Sequence, residues 1–279
     1  MGSDTVISAD GTRIAYDATG DESRPVLLRV EGAATHRALN PGRAKFTDRL
    51  SGRFCVVSYD RCGRGDSDDR DAYAVEREIE DVAALLDRFN GRGFIVGLSS
   101  GAVLALRCAV EGLPIDGLAC YEPPFIVSSD RTPVAADYVE RLQAEISSGR
   151  PGKAMKLFMV EAVGMPAVMV DGMAGQPFWP AMEQLAHTLV YDARVMGETM
   201  QGRPEMIDIF ADVSVPTLVM SGSASAPWLR TAAAKLTQLL TNGNANELPE
   251  QTHDVDPVLL ADTIGEYFST LSTHAENHQ

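Results

Sequence analysis

What this 279-residue chain has little of narrows its function before any motif is read. Basic residues are scarce: 24 Lys and Arg against 39 Asp and Glu leave a formal charge of −15. Nucleic acid and anionic membranes both require a basic face, so neither is expected as a partner. No apolar run approaches the roughly 20 residues of a membrane span. The start, MGSDTVISADG, has no basic region ahead of an apolar one, so no secretory leader is read there. Met1-Gly2 meets Val6 where a myristoylation signal needs Ser or Thr. The four cysteines, Cys55, Cys62, Cys108 and Cys120, form no C-x-x-C pair, and three fall in apolar stretches; they read as buried free thiols in a reducing cytoplasm. No G-x-G-x-x-G follows the first strand, H-E-x-x-H is missing, and metal-ligating residues do not cluster, so no cofactor and no metal is implied. There is no internal repeat and no low-complexity segment.

What is present is an ordinary globular composition, 45% hydrophobic and 23% charged, in a chain long enough for one domain with an insertion or two small domains. Residues 4–18 read as a hairpin turning at Asp10-Gly11. PVLLRVEG (25–32), FCVVSYD (54–60), GFIVG (93–97) and IDGLACYE (115–122) read as strands. Between them, REIEDVAALLDRF (77–89) places Ile79, Val82, Ala83, Leu86 and Phe89 on one helical face, and GAVLALRCAVEG (101–112) reads as a second helix. Residues 126–210 break the alternation. They are rich in methionine and read as a helical insertion between core segments 1–125 and 211–279. The alternation resumes with VPTLVMSG (215–222), a helix around 228–241, a short strand near Asn246-Glu247-Leu248 and a last helix from Pro257 to Leu271, which Asp256 is placed to cap. Apolar strands alternating with amphipathic helices predict an α/β fold, with a mostly parallel sheet covered on both faces and active residues at the carboxyl ends of the strands.

One such end carries Gly97-Leu98-Ser99-Ser100-Gly101, a G-x-S-x-G between strand and helix. A sharp turn there holds a hydroxyl above the sheet at a helix N-terminus, where the dipole and free N–H groups favour developing negative charge. Only Ser99 has glycines two positions to either side, so Ser99 is the candidate nucleophile. Ser100 is the candidate backbone donor to an oxyanion.

With these stretches in this order, the chain resembles the α/β-hydrolase superfamily over nearly its whole length. VEGAAT stands where the family has its oxyanion loop, YDRCGRGDSD resembles the loop after the next strand, GLSSG the nucleophile elbow, VPTLVMSG the strand before the acid, and LPEQTHDVDP the loop of the catalytic histidine. The resemblance implies an eight-stranded sheet, with the insertion as a cap over a pocket for a small molecule. It assigns the general base to His253 and the oxyanion donors to the N–H groups of Ala33 and Ser100. The acid departs from the pattern: Gly222-Ser223-Ala224-Ser225 puts Ser225 at the usual position, and no Asp or Glu occurs between Asp212 and Glu247. Three repairs are open. Glu122, ending the strand LACYE, supplies the acid; Asp254, next to His253, supplies it; or there is none and Ser225 orients the imidazole. Glu31 also departs, standing where the family commonly has His, with Arg29 and Arg61 as possible partners. The candidate substrate contacts are Glu31 and His36 and, in the insertion, Phe178, Trp179, His187 and Tyr191. The expected activity is hydrolysis of an ester, lactone or thioester of a small, largely apolar molecule through an acyl-enzyme. The alternative is a non-hydrolytic lyase, isomerase, epimerase or binding protein on the same scaffold. Serine rather than Asp at the elbow argues against epoxide-hydrolase or dehalogenase chemistry. The oligomeric state is not read.

Overall fold

A computed structural model describes residues 4–276, with side chains as far as Leu271, so Met1, Gly2 and the side chains of His274 and His278 lie outside the described residues. The chain opens on the expected hairpin: β1 (Asp4–Ile7) turns into β2 (Arg13–Thr19), with Asp10 accepting the Thr12 N–H at 2.9 Å in the turn. Strands and helices then alternate as β3 (Val26–Val30), α1 (Arg43–Leu50), β4 (Cys55–Tyr59), α2 (Val75–Arg88), β5 (Gly93–Leu98), α3 (Ser100–Val110) and β6 (Ile115–Tyr121). Residues 126–210 carry α4 (Tyr138–Ser147), α5 (Pro151–Leu157), α6 (Ala167–Met173), α7 (Trp179–Gln184) and α8 (Leu189–Met196), with a π-helical turn over Phe158–Val163. The alternation returns with β7 (Thr217–Gly222), α9 (Pro227–Leu239), β8 (Gly243–Leu248) and α10 (Pro257–Glu276). Asp256 Oδ1 accepts the N–H groups of Val258 and Leu259, both at 2.9 Å, and caps α10.

The eight strands form one sheet in the order β1-β2-β4-β3-β5-β6-β7-β8. β1, β2 and β4 pair antiparallel, and every pair from β4 to β8 is parallel. Strands β3 to β7 are buried almost throughout and largely apolar because both faces are covered, with successive side chains going to opposite layers, whereas the edge strands β1 and β8 are mostly exposed. In β3, β5, β6 and β7, Leu28, Ile95, Cys120 and Val219 pack with α2, α3 and α9. Their neighbours Leu27, Phe94, Val96, Ala119, Leu218 and Met220 pack with α1 and α10. Burial pushes the thiols of Cys62, Cys108 and Cys120 up, that of Cys62 to about 12, and all four cysteines are buried and free.

The chain runs outward from β3 to β4, then returns to lay β5 against the other side of β3. At such a reversal the connections leaving the two adjacent strands part to opposite faces, which opens a crevice at their carboxyl ends. The loop after β3 and the turn after β5 therefore face one another across this crevice.

The second layer depends on Phe268 of α10, which stacks on Phe94 with ring centroids 4.5 Å apart and meets Phe54 edge-on at 6.4 Å. Phe268→Ala should cost about 3–5 kcal/mol of unfolding free energy in urea titration. A loss under about 1 kcal/mol would show that α10 is not anchored in this way.

Candidate active site

Ser99 sits on the turn between β5 and α3 with φ 53° and ψ −125°, a left-handed conformation that a non-glycine residue adopts only where its surroundings impose it. Its N–H donates to Tyr121 O at 2.9 Å, which ties the turn to β6. The elbow fits under the loop after β3 because residue 101 has no side chain: a Cβ there would stand 2.4 Å from Val30 O and 2.6 Å from Glu31 O.

Glu122 follows β6 with φ 45°, another left-handed non-glycine residue at this edge, and is fully buried. Its Oε1 accepts the Gly222 N–H at 2.8 Å from the end of β7. Its Oε2 lies 2.7 Å from His253 Nδ1. The loop bearing His253 reaches this point because Gln251 crosses directly over Gly222, where a Cβ would come within 2.1 Å of Gln251 O. A carboxylate on Nδ1 favours the tautomer with its proton there and leaves the Nε2 lone pair free. Nε2 makes no hydrogen bond among the described residues. Neither Asp254 nor Ser225 bonds the imidazole; Ser225 Oγ is buried with no partner among the described residues.

Ser99 and His253 line the same cavity, of about 660 Å³. Its floor comes from the strand ends, with Glu31, Gly32, Ala33, Leu98 and Ser100. Its roof comes largely from residues 126–210, including Tyr138, Phe158, Leu189 and the methionines Met182, Met196 and Met200. The other methionines do different work: Met155 and Met159 are buried among the helices and Met169 is exposed. The N–H groups of Ala33 and Ser100 donate to no group among the described residues, so both are available at this wall. Glu31 is buried and neutralised, its Oε1 taking Arg29 Nε at 2.7 Å and Asn40 Nδ2 at 2.9 Å. Arg61, its other expected partner, reaches only the Glu31 main-chain oxygen, at 3.4 Å.

Five of the candidate substrate contacts stand outside the cavity wall. His36 precedes a 3-10 turn that Arg37 ties to Asp60 and Asp17. Phe178 is 47% exposed at the start of α7. Trp179 is buried between helices, its Nε1 donating to Glu183 at 2.9 Å. His187 and Tyr191 fasten the insertion to the loop after β4. His187 Nε2 is 3.0 Å from Gly63 O, and Tyr191 stacks on Tyr73 with its hydroxyl 2.9 Å from Asp69 Oδ1. Trp179, His187 and Tyr191 thus hold segments together, and Phe178 faces outward.

Sequence reasoning missed a buried charge network at the same wall. Asp192 of α8 lines the cavity and accepts Arg61 Nη1 at 2.7 Å, Arg64 Nη2 at 2.5 Å and Ser100 Oγ at 2.8 Å. Arg61 also forks onto Glu78 with two bonds of 2.7 Å. The signals were the acidic Asp192 in the largely apolar run LVYDARVM and two arginines in the turn RCGRG. No group of three or more His, Cys, Asp or Glu among the described residues is placed to hold a metal ion. No helix among them is long and apolar enough to cross a membrane.

The family model of the Alpha/beta hydrolase family matches residues 32–262. The chain is similar to an alpha/beta hydrolase from Sphaerobacter thermophilus DSM 20745, with 46% identity over 95% of this chain and 100% of that one, at TM-score 0.84. A 2-(acetamidomethylene)succinate hydrolase from Mesorhizobium japonicum is 24% identical, over 92% of each chain. The enol-lactonase from Burkholderia xenovorans LB400 shares the fold at TM-score 0.65, with 18% identity over 97% of this chain and 100% of that one.

The charge network makes stability depend on pH. Burial pushes the Asp192 carboxyl up, but Arg64 and Arg61 outweigh it and hold it below its ordinary value; Arg61 does the same for buried Glu78. Carboxyls with lowered values contribute stability that is complete above their unfolded values, about 4, and is lost as pH falls through the folded ones. Urea unfolding of Asp192→Asn should start about 3 kcal/mol lower at pH 7 and decline less between pH 5 and pH 3 than the parent protein. An equal decline in both would contradict the assignment.

Proposed function

Because the chain belongs to the alpha/beta hydrolase family, we propose that it is a serine hydrolase acting on an ester, lactone or thioester of a small, largely apolar molecule. The observation that carries this reading is the 2.7 Å pair between His253 Nδ1 and a fully buried Glu122, with His253 and Ser99 on one cavity wall. Ser99 Oγ adds to the substrate carbonyl carbon while its proton passes to His253 Nε2. The carbonyl oxygen becomes an oxyanion against the N–H groups of Ala33 and Ser100. The C–O or C–S bond breaks, the leaving group departs with the proton from Nε2, and the acyl group remains as an ester on Ser99. A water molecule gives one proton to Nε2 and adds to that ester. The tetrahedral adduct collapses, the proton returns to Ser99 Oγ, and the carboxylic acid leaves. Glu122 holds the imidazole in the productive tautomer and stabilises it when charged.

The substrate class rests on the wall. It is mostly apolar, its carboxylates Glu31 and Asp192 are both paired with arginines, and no Lys or Arg is among the lining residues. An uncharged acyl compound suits it better than a carboxylate-bearing one. The Mesorhizobium relative is named for a succinate, and this cavity offers no free cation for such a group. The non-hydrolytic alternative draws on the serine at the usual acid position and on Glu31 beside the oxyanion loop; Glu122 at 2.7 Å from His253 Nδ1 and Arg29 at 2.7 Å from Glu31 support the hydrolase reading over it.

Ser99→Ala should abolish labelling by a fluorophosphonate, read by intact-protein mass spectrometry, together with p-nitrophenyl ester turnover. Glu122→Gln should keep the fold and lower kcat by about 10³–10⁴-fold; near-full turnover would remove Glu122 from the mechanism. Neutral p-nitrophenyl esters should exceed equally long esters with a terminal carboxylate by at least about 10-fold in kcat/KM, and the reverse preference would reject the substrate class.

A further inference from the structure

We propose that Arg64 and Asp192 are positioning residues that orient both oxyanion donors, so that the helical segment 126–210 completes the catalytic centre instead of merely enclosing it. This rests on the serine-hydrolase reading. Arg64 Nη1 donates to Gly32 O at 2.6 Å. That oxygen belongs to the same amide as the Ala33 N–H, and in a trans amide the two point in opposite directions. A cation fixed on the carbonyl side therefore aims the N–H into the cavity and, by polarising the amide, strengthens it as a donor. The second nitrogen of the same guanidinium, Nη2, donates to Asp192 Oδ2. The other oxygen of Asp192 accepts the Ser100 hydroxyl at 2.8 Å, and Ser100 supplies the second donor N–H. One carboxylate from α8 thus reaches one oxyanion donor through its side chain and the other through Arg64.

Although breaking the network is costly, stability alone does not require that these positions be charged. Arg61, Arg64, Glu78 and Asp192 are each at most 4% exposed. Buried ion pairs of this kind are often matched or bettered by apolar side chains of equal volume. Arg64 Nε is left without a partner among the described residues, a further cost. What apolar replacements would not supply is a fixed direction for two main-chain amides belonging to different loops. Arg61 is the strut of the arrangement, held by two bonds to Glu78 while it donates to Asp192.

The test compares ground-state with oxyanion binding. Arg64→Met, Arg64→Lys and Ser100→Ala are assayed on a neutral p-nitrophenyl ester, and then with a trifluoromethyl ketone, which Ser99 converts to a charged tetrahedral adduct, and with the matching secondary alcohol, which forms no adduct. Arg64→Met should lower kcat by about 100-fold, the scale of one lost oxyanion donor, with KM within about two-fold. Ketone affinity should fall by the same factor as kcat/KM, while alcohol affinity stays within two-fold. Arg64→Lys, which keeps the charge but cannot bond Gly32 and Asp192 together with one planar fork, should recover only part of the loss. Ser100→Ala keeps the N–H and should show the same pattern at about 10-fold, so it carries the test if Arg64→Met does not fold. Folded variants with unchanged kcat overturn the proposal, as does an equal weakening of ketone and alcohol, which reports a distorted cavity. A parent protein that forms no Ser99 adduct contradicts the hydrolase reading itself, and the proposal with it.

Discussion

The contact on which this arrangement turns is the buried carboxylate of Glu122. It stands at the end of β6, takes the main-chain N–H of Gly222 at the end of β7 on one oxygen, and meets His253 on the other. A fully buried carboxylate is tolerated only when its lone pairs are satisfied, and here each oxygen has a partner from a different segment. The constraint works in both directions. The imidazole is fixed by the carboxylate, and the loop after β8 is fixed by the imidazole. The left-handed backbone of Glu122, followed at once by Pro123-Pro124, is the local strain that aims this side chain along the sheet edge.

Two further strained positions converge on the same crevice. Ala34 and Ser99 also have positive φ, at 53° each, and they lie on the loop after β3 and the turn after β5, the two connections that part at the strand reversal. With Glu122, and with Glu250 (φ 59°) after β8, four left-handed non-glycine residues stand at the carboxyl edge of one sheet, a poor choice for stability alone. Their cost is carried by the two-sided core, in which α1 and α10 cover one face and α2, α3 and α9 the other. The rigid sheet and the strained edge are complementary: the first allows the second.

The fold was legible in the sequence because a two-sided parallel sheet writes itself as short apolar runs, and every such run became a strand. Ser99 was marked by the local spacing G-x-S-x-G and His253 by the resemblance of its loop to the family's histidine loop, and the structure puts both on one cavity wall. Glu122 was legible only as one of three options: its neighbours along the chain say that it ends a strand, while its bonds to Gly222 and His253 span 100 and 131 residues. That residues 126–210 would roof the cavity was legible, but which of their side chains face it was not. Phe178, Trp179, His187 and Tyr191 were marked by residue type, and type does not say which face of a helix turns inward. Asp192 and Arg64 escaped for the same reason: they meet across 128 residues and leave no periodic trace.

The central claim is that Glu122 sets the proton of His253, and the most direct measurement is the tautomer of that ring. In protein carrying ¹⁵N-labelled histidine at neutral pH, the nitrogen resonances should show His253 with its proton on Nδ1 and a free lone pair on Nε2. Glu122→Gln should disturb that state and leave the other histidines unchanged. A neutral His253 with its proton on Nε2 in the parent protein, or a spectrum that Glu122→Gln leaves unmoved, would contradict the account.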